Sequence, residues 1–182
     1  MFERYAARDA RGGINLQGRR NAALFDFMPT IIFIQQAKPE QAGILTTITL
    51  AAKRYWNYPE SWIQVWLPSL TITSDYILAN ETWTAVVDEE CVAYYSLKHD
   101  DGYLWLDNLW VLPEFIGQGI GRQLFQHALE RSRAQGVYNI KIEADPSAQN
   151  FYERMGARKT GEHHTQVNGQ VRILPVLEIN EF

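Results

Sequence analysis

Three glycines spaced two apart, Gly117, Gly119 and Gly121, stand between an apolar, β-prone run (Leu106–Leu112) and a stretch of helical periodicity that begins at Arg122. Glycine lets a backbone curl until several N–H groups converge on one point. The first turn of a following helix adds unpaired N–H groups and the positive end of its dipole. The combination suits phosphate. A Walker loop would end in Gly-Lys-Ser/Thr, but Arg122-Gln123 follow Gly121. A dinucleotide fingerprint would read G-x-G-x-x-G, and here the spacing is G-x-G-x-G with no ribose-binding acid on schedule.

The same stretch resembles the acetyl-CoA motif of the GNAT N-acetyltransferases, V-x-P-x-x-[RQ]-x-x-G-x-[GA]. Val111, Pro113, Gly119 and Gly121 match, and Ile116 stands where the family has Arg or Gln. A second motif of that family, N-x-x-A-x-x-F-Y-x-x-x-G-[FA], is matched downstream by Ala148, Phe151, Tyr152, Gly156 and Ala157, with Asp145 in place of Asn. The two motifs occur in the family's order, separated by a helix and a strand.

The resemblance implies an acyl-CoA N-acyltransferase fold in which two central parallel strands splay apart. It implies acetyl-CoA as co-substrate, with Leu109, Trp110 and Val111 holding the pantetheine and acetyl carbonyl. The backbone of Gln118, Gly119, Ile120, Gly121 and Arg122 would hold the pyrophosphate. It gives Tyr152 the role of acid toward the departing thiolate. The expected reaction is direct attack by a primary amine, most simply that of a small molecule, in a ternary complex.

An amine must be neutral to attack, so the site needs a base, directly or through water. Many family members carry Glu at the position matching Trp105. Asp107, two residues on, shares that face if the strand is regular. An acid in so apolar a strand needs partners or a role, structural or catalytic. Glu143 and a water chain are the alternatives. The aromatic group Tyr55, Trp56, Tyr58, Trp62, Trp66 and Tyr76 precedes the motifs. Trp56 and Tyr58, in a break between helices, are expected to line the acceptor site, where an aromatic wall can hold a cation or a flat amine. Trp62 and Trp66, at i and i+4, read as core. Cys91 reads as packing, and the histidines show no metal-ligand spacing, so no metal is expected.

The elements that must position these groups follow from pattern. A β-branched run, Thr30–Gln36, is followed by a helix with Ile44, Leu45, Ile48, Ala51 and Ala52 on one face, ending at Lys53-Arg54. Tyr55–Pro59 breaks it, a second helix is expected to close at Pro68, and Thr73-Ser74-Asp75 can cap a third. Strands are expected at Thr82–Val87, Cys91–Leu97 and Tyr103–Leu112, with turns at 88–90 and 100–102. The motif helix ends at Gly136. Val137–Ala144 is a strand, Ala148–Met155 a helix, and Arg158–His163 and Val171–Ile179 a closing pair around Asn168-Gly169. The fold class is α/β (α+β): a mixed, mostly antiparallel sheet with helices on both faces.

The chain of 182 residues carries 17 basic and 21 acidic side chains. Residues 1–27 hold five arginines against three acids, so the remainder has 12 basic and 18 acidic residues, net −6. That balance argues against a nucleic-acid partner. Residues 1–27 read as a disordered extension, with the acetyltransferase domain spanning 28–182. No apolar run approaches the roughly 20 residues of a membrane span. The lone Cys91 fits a reducing compartment, so a cytoplasmic enzyme without membrane contact is expected. Self-association as a homodimer stays open. So do two other functions: a non-catalytic acyl-CoA-binding module, and a protein N-terminal or lysine acetyltransferase.

Overall fold

The computed structural model describes residues 32–180. The expectations for residues 1–27 and for the first residues of the Thr30–Gln36 strand lie outside that range. One mixed sheet runs through the domain in the order β1-β2-β3-β4-β5-β7-β6. Its strands are β1 (Phe33–Gln36), β2 (Glu81–Val87), β3 (Glu90–Asp100), β4 (Tyr103–Val111), β5 (Asn139–Glu143), β6 (Arg158–Val167) and β7 (Gln170–Asn180). The helices are α1 (Ala42–Tyr55), α2 (Glu60–Leu70), α3 (Ser74–Ala79), α4 (Ile120–Ala134) and α5 (Gln149–Arg154).

Every neighbouring pair is antiparallel except β4–β5. Three hairpins turn on residues with positive φ in both central positions: Asp88-Glu89, Asp101-Gly102 and Asn168-Gly169. Turns of that hand match the twist of the strands they join. β3 is buried on both faces from Val92 to Leu97 because helices cover both sides. Tyr94 points to α1, sharing a 2.5 Å hydrogen bond with Thr49, while Tyr95 points to α4, at 2.7 Å from His127 Nδ1. The core on the α4 side gathers Leu97, Leu104, Leu124, Phe125, Ala128 and Ile140. The smaller one on the other face gathers Leu45, Ile48, Ile72, Ile77 and Tyr94. Each fully buried Leu, Ile or Phe contributes about 1.5–3 kcal/mol relative to exposure.

Several boundaries differ from the sequence expectation, and two of them have a plain physical reason. Pro68 lies inside α2 rather than closing it. It sits in the last turn, where the missing N–H removes one bond, and the helix continues until Leu70 reaches the core. β5 begins at Asn139, two residues after Val137, because the backbone N–H of Val137 is used to close the end of α4 on Ser132 O at 3.0 Å.

Candidate active site

β4 and β5 pair only through Leu104–Ile140 and Trp105–Lys141. β4 runs on to Val111 and β5 to Glu143, so beyond that contact the two strands part. The gap opens into a cavity of about 610 Å³. One wall is Leu109, Trp110 and Val111 of β4; another is Gly117, Gly119 and Arg122; a third is Asn150, Phe151, Tyr152 and Arg154 of α5. Ala52, Trp56, Asp145 and Ser147 complete the side nearest α1.

The glycine loop has the expected form. Gly117 (φ 86°) and Gly119 (φ 83°) are left-handed, and a Cβ at either would meet no atom within 4 Å. Conformation rather than space therefore demands glycine there. Gly119 is the N-cap of α4, so the helix starts at Ile120 and not at Arg122. The N–H groups of its first turn have no partner inside the helix and lie beside the cavity. This loop and the unpaired edge of β4 fit an anionic, amide-bearing ligand such as acetyl-CoA, with Arg122 and Arg154 as cations on the wall. The side-chain amide of Gln118 donates to Glu114 O at 3.0 Å.

Tyr152 is buried, its ring 5.8 Å from Phe125 and 5.1 Å from Phe151. Among the described residues its hydroxyl makes no hydrogen bond. Burial, and then the negative charge of Asp145, push its pKa up, so the phenol keeps its proton at neutral pH. Trp110 is fixed from behind: its indole N–H donates to Asn108 Oδ1 at 2.8 Å, and Asn108 Nδ2 donates to Tyr76 Oη and Ser96 Oγ at 2.8 and 2.9 Å.

The structure does not bring Asp107 to the cavity. The register shifts from Ser96–Asn108 to Leu97–Leu106, which makes Asp107 the extra residue of a bulge in β4. The face-sharing with Trp105 assumed a regular strand, and the bulge breaks the alternation. Asp107 is exposed and accepts from Tyr76 Oη at 2.5 Å. Glu143 is also exposed, paired with His163 Nδ1 at 2.7 Å. Cys91 is half-buried and burial raises its thiol pKa to about 11, so it is no thiolate near neutrality. Among the described residues no group of three or more His, Cys, Asp or Glu is arranged to hold a metal.

Trp56 lines the cavity, but Tyr58 turns inward and donates to Asp145 Oδ1 and Oδ2 at 2.9 and 3.1 Å. The aromatic wall holds cations, yet they belong to the chain. Lys53 Nζ lies 4.7 Å from the rings of both Tyr58 and Trp66, and the Arg172 guanidinium 5.3 and 4.8 Å from the same two rings. Trp62 and Trp66 are half-buried and complete this packing, with Trp62 stacked on Tyr58. Sequence reasoning missed Lys53 and Arg172. Lys53 read as part of a helix end, and Arg172 as one residue of a hairpin strand.

Between these cations lies Asp145. Lys53 Nζ donates to its Oδ2 at 2.6 Å and Arg172 Nη2 to the same oxygen at 2.9 Å. Burial would raise the Asp145 pKa, but the charge and hydrogen bond of Lys53, with the hydrogen bonds from the hydroxyl and backbone N–H of Ser147, bring it below the usual 3.8. Lys53 is lowered, first by desolvation. Because Asp145 titrates lower in the folded than in the unfolded chain, its stabilising effect is complete above about pH 4 and is lost as pH falls through the folded pKa. Urea unfolding should show it: the stability gap between wild type and Asp145→Asn narrows from pH 6 to pH 3.

No helix among the described residues is long and apolar enough to cross a membrane. Residues 47–157 match the family described as "Acetyltransferase (GNAT) family". The chain is 31% identical over 109 residues to the peptidyl-lysine N-acetyltransferase YjaB of Salmonella typhimurium, covering 59% of this chain and 70% of that protein. Its fold is similar to that of a GCN5-related N-acetyltransferase from Rhodopseudomonas palustris, with a TM-score of 0.72 at 19% identity over 85% of this chain and 98% of that one. It is also similar to the PaiA N-acetyltransferase of Thermoplasma acidophilum, solved in complex with coenzyme A, with a TM-score of 0.66 at 16% identity over 83% and 99% of the two chains. A match spanning both motifs, on a sheet that splays where the motifs meet, leads to one assignment: the chain belongs to the GNAT acetyltransferase family.

Proposed function

We propose that the protein transfers an acetyl group from acetyl-CoA to the primary amine of a small molecule, by direct attack with both substrates bound. The observation that carries this reading is the parting of β4 and β5 over a cavity that holds the glycine loop at one end and Tyr152 within it. Bound acetyl-CoA supplies the activated thioester. The amides from Gln118 to Arg122 bind its pyrophosphate, and the unpaired edge of β4 at Leu109–Val111 receives the pantetheine as a missing strand would. A strand N–H aimed at the acetyl carbonyl stabilises the oxyanion that develops. Tyr152 donates its proton to the departing thiolate.

Asp145 is the one carboxylate among the described residues that line the cavity, and both its oxygens are engaged by cations and hydroxyls. Removal of the amine proton therefore passes to water, with Asp107 and Glu143 reached only through solvent. A second reading has specific support: the Salmonella relative is named for peptidyl-lysine, so a lysine side chain is the rival acceptor.

Thermal unfolding with and without acetyl-CoA tests the co-substrate. A ligand at about 100 times its Kd stabilises the fold by about 2.7 kcal/mol. An upward shift is expected; its absence at saturating acetyl-CoA, with the protein folded, refutes the assignment. Thiol release with a panel of small amines and lysine peptides then separates the two acceptor classes. Binding without release on any amine identifies a non-catalytic acyl-CoA module.

A further inference from the structure

We propose that Asp145 is a positioning residue of the acetyl transfer, holding the turn that leads to Tyr152 and the rim that carries Trp56 against α1 and β7. The proposal rests on the acetyltransferase reading above and concerns a group to which that reading gives no chemical step.

The carboxylate joins four separate parts of the chain. Its Oδ2 accepts from Lys53 of α1 and Arg172 of β7. Tyr58, in the loop after α1, donates to both oxygens. Its Oδ1 also accepts from the backbone N–H and the hydroxyl of Ser147, at 3.1 and 2.5 Å. The last two bonds cap the 3-10 turn Pro146–Ala148, which runs directly into α5 and so into Tyr152. Tyr58 is two residues from Trp56, the aromatic residue of this loop that lines the cavity. One buried side chain thereby sets two walls of the site.

The cluster is built as a unit. The side chains of Lys53, Asp145 and Arg172 are 6%, 9% and 12% exposed. Two cations face one anion, and the rings of Tyr58 and Trp66 supply the remaining compensation. Only an acid fits this position. An Asn amide would offer one acceptor oxygen and turn its NH₂ group toward either Ser147 or the two cations, donor against donor. Breaking a buried pair by removing one partner also leaves charge uncompensated.

The experiment measures kcat and KM on an amine that the wild type acetylates, for Asp145→Asn, for Asp145→Asn combined with Lys53→Met, and for Tyr58→Phe. Asp145→Asn should lower kcat by about 30-fold, within the ~10²-fold that a misplacement of an ångström costs. Its KM for acetyl-CoA should change by less than about threefold, since the phosphate seat is untouched. Adding Lys53→Met removes the excess cation, so the thermal midpoint should return toward wild type while kcat stays low. Tyr58→Phe keeps the rings and charges but gives up the hydrogen bonds to Asp145; it should lower kcat by about fivefold, with a smaller drop in midpoint than Asp145→Asn shows. A kcat that recovers together with the midpoint in the double variant, or an unaltered kcat in Tyr58→Phe, overturns the positioning role. Where Asp145→Asn alone does not fold, the other two variants decide the matter. A wild type that binds acetyl-CoA but acetylates no amine overturns the acetyltransferase reading, and this proposal with it.

Discussion

Gly121→Asp is expected to weaken acetyl-CoA binding by at least about 100-fold, or about 2.7 kcal/mol, while leaving the fold intact. The two halves of that expectation have different causes. Gly121 lies in the first turn of α4 at an ordinary helical φ. A Cβ built there meets Phe151 and Val111 side chains at 3.7 Å, which is van der Waals contact and not a clash. A carboxylate in the first turn of a helix also interacts favourably with the dipole. Stability should therefore change little. The charge, however, would sit among the N–H groups proposed to receive pyrophosphate, repelling the ligand and competing for its donors. Titration followed by calorimetry, alongside Gly121→Asn as the uncharged control, measures the difference. Affinity unchanged in the Asp variant would mean that phosphate binds elsewhere.

How far the sequence speaks for itself can be judged residue by residue. The glycine loop was legible because φ near +85° at Gly117 and Gly119 leaves a mark in residue type. The hairpins at Asp101-Gly102 and Asn168-Gly169 were legible for the same reason. The bulge at Asp107 left no mark, since one extra residue in a strand looks like any other until its partner strand is known. The cluster around Asp145 was illegible for a stronger reason. Lys53 and Asp145 are 92 residues apart, and Arg172 is 27 further on. A lysine at a helix end and an arginine in a hairpin have ordinary local explanations, and only the tertiary fold shows that both are buried on one carboxylate. The aromatic wall was visible as composition, but that its cations come from within the chain was not.

Tyr152→Phe should lower kcat by about 10²-fold or more, the low end of what a positioned proton donor contributes. The KM for acetyl-CoA should hold, because the ring that packs on Phe125 and Phe151 is retained. Among the described residues the hydroxyl has no hydrogen-bond partner, so its loss leaves no donor or acceptor of the protein unsatisfied and stability should change little. That makes the substitution a clean test of chemistry. The phenol is buried beside the negative charge of Asp145, and both effects keep it protonated well above neutral pH. A proton donor of that kind implies a second result. If Tyr152 delivers the proton to the thiolate, the defect of the Phe variant should shrink for acyl donors whose thiol is a better leaving group, since those need the proton less. Measuring kcat for wild type and variant across a series of thioesters of decreasing thiol pKa reads this directly. A ratio that stays constant along the series would mean that Tyr152 shapes the cavity and does not donate, and a kcat equal to wild type throughout would make it a core residue.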